Sequence, residues 1–428
     1  MLYALLQPLM RLALRFFFKK IYFSNAKVLP WGKPFILASN HPTAFMEPLI
    51  YCSFLRSPLH SITRGDVFEK PFFRRILKSM YMIPIFRFKD GYGSLKLNHA
   101  SFEHCYRTLS DQKAILIFSE GRTKLEKRLR PLQKGTARIA FGTWDANGST
   151  AADIYIVPVG INYVSGKKFR DEVMVRFDTP IRLRDMEDKY LENPIRAVST
   201  LTEEIKKRFE KLVIIVNNPA DDQLAEQLLT IRRNEWYDGV LPIVSENNNR
   251  LEAEKRVADR INAMDDEDKF FWKQKTNFYF DKIQENNLDD FAVAQPMSVR
   301  WATWLAMAVG LLPALLGRGG NFLPAYIART IAHRRVTEDH AEFFAPVLIA
   351  TGLLLSLLYY LLLFIGACFL NNFIIWFVVL SLPLCGYYSL IYAEHWEKIK
   401  KAQQAAIVPA DQWKELVALR RCISRLEK

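Results

Sequence analysis

Two short stretches hold the residue types that could do chemistry in this chain. The first runs Asn40-His41-Pro42-Thr43-Ala44-Phe45-Met46-Glu47-Pro48, and the second Ile117-Phe118-Ser119-Glu120-Gly121-Arg122-Thr123. An imidazole with a carboxylate a few residues away is a candidate base and orienter. The ring takes a proton while the acid fixes its tautomer and balances its charge. In the second stretch, Gly121 lets the backbone approach a ligand closely, and Arg122 offers a planar fork suited to phosphate.

Both stretches end apolar runs that read as buried strands, Phe35–Ala38 and Ala114–Ile117. His41 therefore stands where a strand gives way to a helix. Asn40 is placed to cap that helix, with Pro42 in its first turn, where a missing N–H costs nothing. A helix N-terminus at this point also favours an anionic substrate group. Taken alone the first stretch is equally a capping Asn beside a surface His; the second stretch tips the reading toward a site.

The pair resembles the first and third signature blocks of the glycerolipid acyltransferase superfamily, which read approximately Asn-His-x4-Asp and Phe-Pro-Glu-Gly-Thr-Arg. Met82-Ile83-Pro84-Ile85-Phe86-Arg87 resembles the second block, and Val157-Pro158-Val159-Gly160-Ile161 the fourth. The resemblance covers residues 20–215. Its departures are specific. The acid arrives one place late and as Glu47, Ser119 replaces a proline, and Arg122 and Thr123 stand in exchanged order. Glutamate's extra methylene would let the carboxylate reach back across the slip.

The resemblance implies transfer of a fatty acyl group from a thioester to a hydroxyl of glycerol-3-phosphate or 1-acylglycerol-3-phosphate. A lysophospholipid-remodelling enzyme and a non-catalytic lipid-binding member stay open as alternatives. His41 would be the base and Glu47 its orienter. Arg87 and Arg122 would hold the acceptor's phosphate, with Arg64 and Lys134 as lesser candidates, and Glu120, Gly121 and Thr123 would complete the substrate-binding set. Backbone N–H groups near the helix start or around Gly121 would meet the oxyanion. No bound cofactor is implied: coenzyme A or acyl carrier protein brings the acyl group as a co-substrate, and an activated thioester needs no protein nucleophile.

Composition fits that setting. The chain has 428 residues, 50% of them hydrophobic, and a formal net charge of +14, which narrows the partners to polyanions. The cations flank apolar segments instead of forming a tract of their own, so membrane lipid is expected and nucleic acid is not. The five cysteines are scattered without a CxxC pair, and the histidines show no ligand spacing, so no metal is expected. No Gly-x-Ser-x-Gly elbow occurs, against an α/β-hydrolase.

Along the chain, residues 1–23 alternate greasy blocks with single cations and read as an amphipathic helix lying in the membrane plane, Arg11 and Arg15 one turn apart. A buried core helix is the alternative. Residues 24–215 alternate apolar runs with helical patterns, an α/β catalytic domain: a mixed sheet flanked by helices. Strands are expected at 35–39, 59–63, 82–86, 114–118, 154–160 and 173–177, and a charged helix at 196–211. Residues 216–299 read as a polar helical insertion, in which Phe270–Trp272 and Phe278–Phe280 are expected in a core. Residues 300–395 form the membrane region. There, 344–370 and 373–393 are long enough to cross a ~30 Å hydrocarbon layer, and the shorter 301–316 is re-entrant or interfacial. Residues 396–428 read as a basic tail. Basic flanks on every side except Asn371-Asn372 predict a two-span hairpin, with the catalytic domain facing the cytoplasm.

Overall fold

The computed structural model describes residues 2–86, 98–148, 153–235, 239, 241–370 and 372–426. The chain divides into two units: Met1–Val213 with Ile243–Asn248 and Glu338–Pro346, and the remainder, Ile214–Pro242, Asn249–Thr337 and Val347–Lys428.

The first unit is built on a mixed sheet. Its elements in chain order are α1 (Leu2–Phe17), β1 (Phe18–Ser24), β2 (Phe35–Ser39), α2 (Met46–Phe54), β3 (Leu59–Arg64), α3 (Pro71–Ser79), β4 (Met82–Ile85), α4 (Asn98–Ser110), β5 (Ala114–Phe118), α5 (Gly135–Asn147), β6 (Tyr155–Tyr163), β7 (Asp171–Phe177), β8 (Ile181–Arg182), α6 (Glu187–Glu192), α7 (Pro194–Leu212) and, from later in the chain, β9 (Val244–Ser245). The sheet runs β4-β3-β5-β2-β6-β7-β1-β9, with β8 also on β6. β4, β3, β5, β2 and β6 are parallel, β6 meets β7 antiparallel, and β1 joins β7 and β9 in parallel.

β2 is buried at all five positions and β5 at four of five, so each reads as an unbroken apolar run, as strands covered on both faces must. One face packs on α4, α5 and α7 through Ile36, Ile115, Leu109, Ile139, Phe141, Leu201 and Phe209. Asn193 caps α7 by accepting the N–H of Arg196, with Pro194 in the first turn.

The N-terminal region differs from its expected form. The helix ends at Phe17, and Phe18–Ser24 is a sheet strand in which even Lys20 is buried. α1 is committed to α2. Its Tyr3 hydroxyl donates to the Cys52 carbonyl, Gln7 Nε2 to those of Cys52 and Leu55, and Arg11 Nε to that of Ser53. These are the carbonyls a helix C-terminus leaves without partners, so Arg11 caps a helix instead of facing lipid. Leu5, Leu12 and Arg15 stay exposed.

The second unit is helical: α8 (Asp222–Glu235), α9 (Asn249–Ala263), α10 (Asp266–Glu285), α11 (Asp290–Ala294), α12 (Trp301–Gly320), α13 (Phe322–Arg335), α14 (Phe344–Leu370, its first turn in the other unit), α15 (Phe373–Ile407) and α16 (Ala410–Arg425). Its aqueous part is pinned by buried ion pairs. Arg233 and Arg250 both bind the fully buried Glu254, and Arg420 binds Asp290, which also accepts from Tyr279. Within the basic C-terminal segment, Ala410–Arg425 is a helix packed through Arg420. Phe270, Phe271 and Phe278 are exposed, against their expected place in a core, while Tyr279 is buried.

Among the described residues, three helices are long and apolar enough to cross a membrane: Trp301–Gly320, His340–Leu370 and Phe373–Ile407. α12 runs antiparallel to α15. Trp304 meets Trp396, Tyr392 donates to the Met307 carbonyl, and Gly317 lies so near the Cys385 carbonyl that a Cβ would fall 1.9 Å from its oxygen. Past the end of α12, Asn321 donates to the Gly317 and Leu382 carbonyls and accepts from Tyr360.

Candidate active site

Register brings the two chemical stretches together. β2 and β5 are neighbouring parallel strands with Ser39 opposite Phe118, so His41 and Glu120 each stand two residues beyond the same sheet edge. Ser119 N–H donates to the Ser39 carbonyl at 3.0 Å, and His41 N–H donates to Glu120 Oε1 at 3.0 Å. The carboxyl edge of parallel strands is where open α/β sheets place ligands.

His41 does not open a helix directly. Residues 41–45 form a loop, and α2 begins only at Met46. Asn40 is no cap: its side chain donates to the Ile161 carbonyl at 3.0 Å and accepts the Ile161 N–H at 2.8 Å, clamping the loop to β6. The extra loop residues explain the displaced acid. Glu47 lies in the first turn of α2, fully buried, with Oε2 3.1 Å from His41 Nδ1. Its other oxygen accepts the Thr43 N–H and hydroxyl, both at 2.7 Å, and the Tyr163 hydroxyl at 3.3 Å.

A carboxylate ringed by donors is acceptor-only, so the near ring nitrogen carries the proton and Nδ1–H donates to Glu47. That leaves Nε2 with the free lone pair a base needs. The ring stacks on Phe118, centroids 3.9 Å apart and planes within 13°, and its side chain stays 14% exposed. Burial, then the Glu47 charge, pushes the Tyr163 hydroxyl well above its ordinary range, so it keeps its proton and donates it to Glu47.

Glu120 is buried, which raises its carboxyl pKa. It accepts the backbone N–H groups of His41 and Arg130 (3.4 Å to the latter), tying the loop after β5 to the loop after β2. Gly121 makes the turn at φ +68°, with its N–H on the Phe118 carbonyl. The His41, Thr43 and Gly121 N–H groups are therefore already engaged, and the N-terminus of α2 has no side-chain cap.

The remaining expected residues are spread out. Arg122 is exposed and Thr123 half-buried. Arg64 forms an ion pair with Asp66. Lys134 reaches Ser199 of α7 at 2.9 Å, away from His41. Arg87 lies outside the described residues. Sequence reasoning passed over Lys124, Arg128 and Arg130, which converge on Glu126 at 3.1–3.2 Å. Burial pushes the Glu126 carboxyl up, but its bonds to Lys124 and Arg130 prevail and hold it below the usual range. The charge run from Arg122 to Lys134 was visible in sequence; Tyr163 carried no signal at all.

A histidine paired with a buried carboxylate thus stands at the edge of a parallel sheet, and Glu120 ties its loop to the loop that leads to Arg130. A family model described as Acyltransferase matches residues 20–162. Over 158 residues the chain is 28% identical to Glycerol-3-phosphate O-acyltransferase 1 of Saccharomyces cerevisiae, covering 36% of this chain and 20% of that protein. The chain thus spans about a fifth of that relative's length. A likeness to the crystal structure of the 1-acyl-sn-glycerophosphate (LPA) acyltransferase PlsC from Thermotoga maritima covers 47% of this chain and 79% of that one, at 15% identity and a TM-score of 0.32. The family model's match takes in both chemical stretches, from Asn40 to Thr123.

Proposed function

We propose that this protein is an O-acyltransferase that moves a fatty acyl group from a thioester carrier to a hydroxyl of glycerol-3-phosphate or 1-acylglycerol-3-phosphate. One observation carries the reading: His41 Nδ1 sits 3.1 Å from a carboxylate, Glu47, that is wholly withdrawn from water and held by three further hydrogen bonds. An ion so fixed orients the ring and stabilises it once protonated. His41 Nε2 takes the acceptor's hydroxyl proton as its oxygen attacks the thioester carbonyl. The first turn of α2 steadies the oxyanion. The thiolate then leaves and takes the proton back from the imidazolium, so charge and protons balance.

The acceptor's phosphate is met by Arg122 and Arg87, supported by the loop that Lys124, Arg128 and Arg130 form around Glu126, with Arg64 and Lys134 in lesser roles. Glu120 positions both loops. The membrane region is a two-span hairpin of α14 and α15. α12 and α13 enter from the same side and turn back at Asn321, whose partners Tyr360 and Leu382 lie partway along those helices. The basic residues flanking these helices, read by the positive-inside tendency, support a cytoplasmic acyltransferase domain.

The test is the full-length protein in detergent or vesicles, given labelled acyl-coenzyme A or acyl-carrier thioester and a panel of glycerol-3-phosphate, 1-acylglycerol-3-phosphate and other lysophospholipids. Labelled product with a phosphate-bearing glycerol acceptor is expected. No transfer to any acceptor would leave a non-catalytic lipid-binding protein.

A further inference from the structure

α3 keeps its apolar residues at the surface of the first unit. None of its nine residues, Pro-Phe-Phe-Arg-Arg-Ile-Leu-Lys-Ser, is buried. Phe72 is 71% exposed and Phe73 50%, with their rings edge to face 5.6 Å apart. Helices of soluble units bury an apolar stripe; here the largest apolar side chains are the ones left outside. From Lys70 to Tyr81 the sequence holds four cations and no acid. Lys70, Arg74, Arg75 and Lys78 are all exposed, and the Arg74 guanidinium donates to the Phe68 and Glu69 carbonyls. Beyond the helix, Tyr81 packs edge to face on Tyr3 of α1, whose Leu5 and Leu12 are exposed in turn.

We propose that α3 is a docking helix for an anionic bilayer surface, with Phe72 and Phe73 entering the lipid and Lys70, Arg75 and Lys78 meeting lipid phosphates. Paired aromatics beside cations suit the boundary between acyl chains and headgroups, where a protein partner would call for acids or hydrogen-bond acceptors to match. The unit that holds α3 also includes the first turn of α14, the start of a helix long and apolar enough to cross a membrane. The proposal is independent of the acyl-transfer reading.

The experiment uses full-length protein in lipid nanodiscs with the photoreactive residue p-benzoylphenylalanine at position 72, an aromatic in place of an aromatic on a helix with no core contacts to lose. The same residue at Leu191 of α6, which is 76% exposed in the same unit, is the control. Illumination in nanodiscs of radiolabelled phosphatidylglycerol is expected to give lipid adducts at position 72 well above those at Leu191. Replacing the lipid by phosphatidylcholine, or combining Lys70→Gln, Arg75→Gln and Lys78→Gln, should cut the yield by roughly fivefold per unmatched cation, the weight of one basic residue at an anionic surface. Yields equal to Leu191, equal yields in the two lipids, or adducts to a second protein chain in place of lipid would each overturn the proposal.

Discussion

Glu47→Gln isolates the orienting role of the buried carboxylate with the least disturbance of shape. Two donors from Thr43 reach Oε1 at 2.7 Å, so the amide must keep its carbonyl there. Its NH2 then faces His41 Nδ1 across 3.1 Å. Two N–H donors cannot share that gap, so the ring moves its proton to Nε2 and turns its lone pair toward the amide. The base that should meet the acceptor hydroxyl is lost. The same acid-to-amide exchange in a serine-protease triad lowers kcat by about 10⁴, equivalent to about 5.5 kcal/mol at 1.36 kcal/mol per decade. Neutral hydrogen bonds replace charge-assisted ones, at a folding cost of about 1–2 kcal/mol. The assay is initial-rate acyl transfer by purified full-length protein, with thermal unfolding followed in parallel. A fall in kcat of three to four decades (about 4–5.5 kcal/mol), with the unfolding transition shifted by only a few degrees, is expected. A folded variant keeping kcat within about tenfold of the parent (under about 1.4 kcal/mol) would refute the argument. Glu47→Asp should also fail, because withdrawing the carboxylate by one C–C bond of about 1.5 Å takes it out of hydrogen-bond reach of Nδ1.

Other outcomes follow from the same geometry. His41→Ala should lower kcat by about 10²–10⁴, the usual weight of a general base, with the circular dichroism spectrum unchanged. Asn40→Leu leaves the buried Ile161 N–H and carbonyl without their partner and should cost about 1–3 kcal/mol for each group, read from thermal unfolding. Gly121→Ala puts a side chain at φ +68° and a Cβ 3.1 Å from Gln133 Cγ; a loss of about 1–2 kcal/mol is expected, again by thermal unfolding. Glu126 has a folded pKa below its ordinary value, so its ion pairs hold the cationic loop above about pH 4.5 and are lost as the pH falls through that lower value. Protection factors for exchange at residues 122–130, corrected for the intrinsic pH dependence of amide exchange, should fall on acidification across that window, and Glu126→Gln should remove that fall.

Much of the sheet was legible because its strands announce themselves. Phe35–Ser39 and Ala114–Phe118 are apolar runs buried on both faces, and such runs need no partner to be recognised. The pairing of His41 with Glu47 was legible too, as residue types at a strand end. β1 was missed for a physical reason: Phe18-Lys19-Lys20-Ile21 carries two lysines, which read as a membrane-facing helix until β7 and β9 close over the strand and bury Lys20. Arg11 was misread likewise, since nothing local reveals that the carbonyls it binds lie at the end of another helix.

The sequence by itself determined the residue types of the site and their place at strand ends, because hydrophobic periodicity and loop composition are local properties. Only the tertiary structure decided how those residues meet. The parallel register of β2 and β5 sets His41 against Glu120, and β6 supplies both the clamp on Asn40 and the Tyr163 hydroxyl on Glu47. The one-place displacement of the acid shows the difference. Along the chain it looks like a defect, but a loop of residues 41–45 ahead of α2 absorbs it and returns the carboxylate to the ring, a pairing fixed by packing across strands that no linear spacing records.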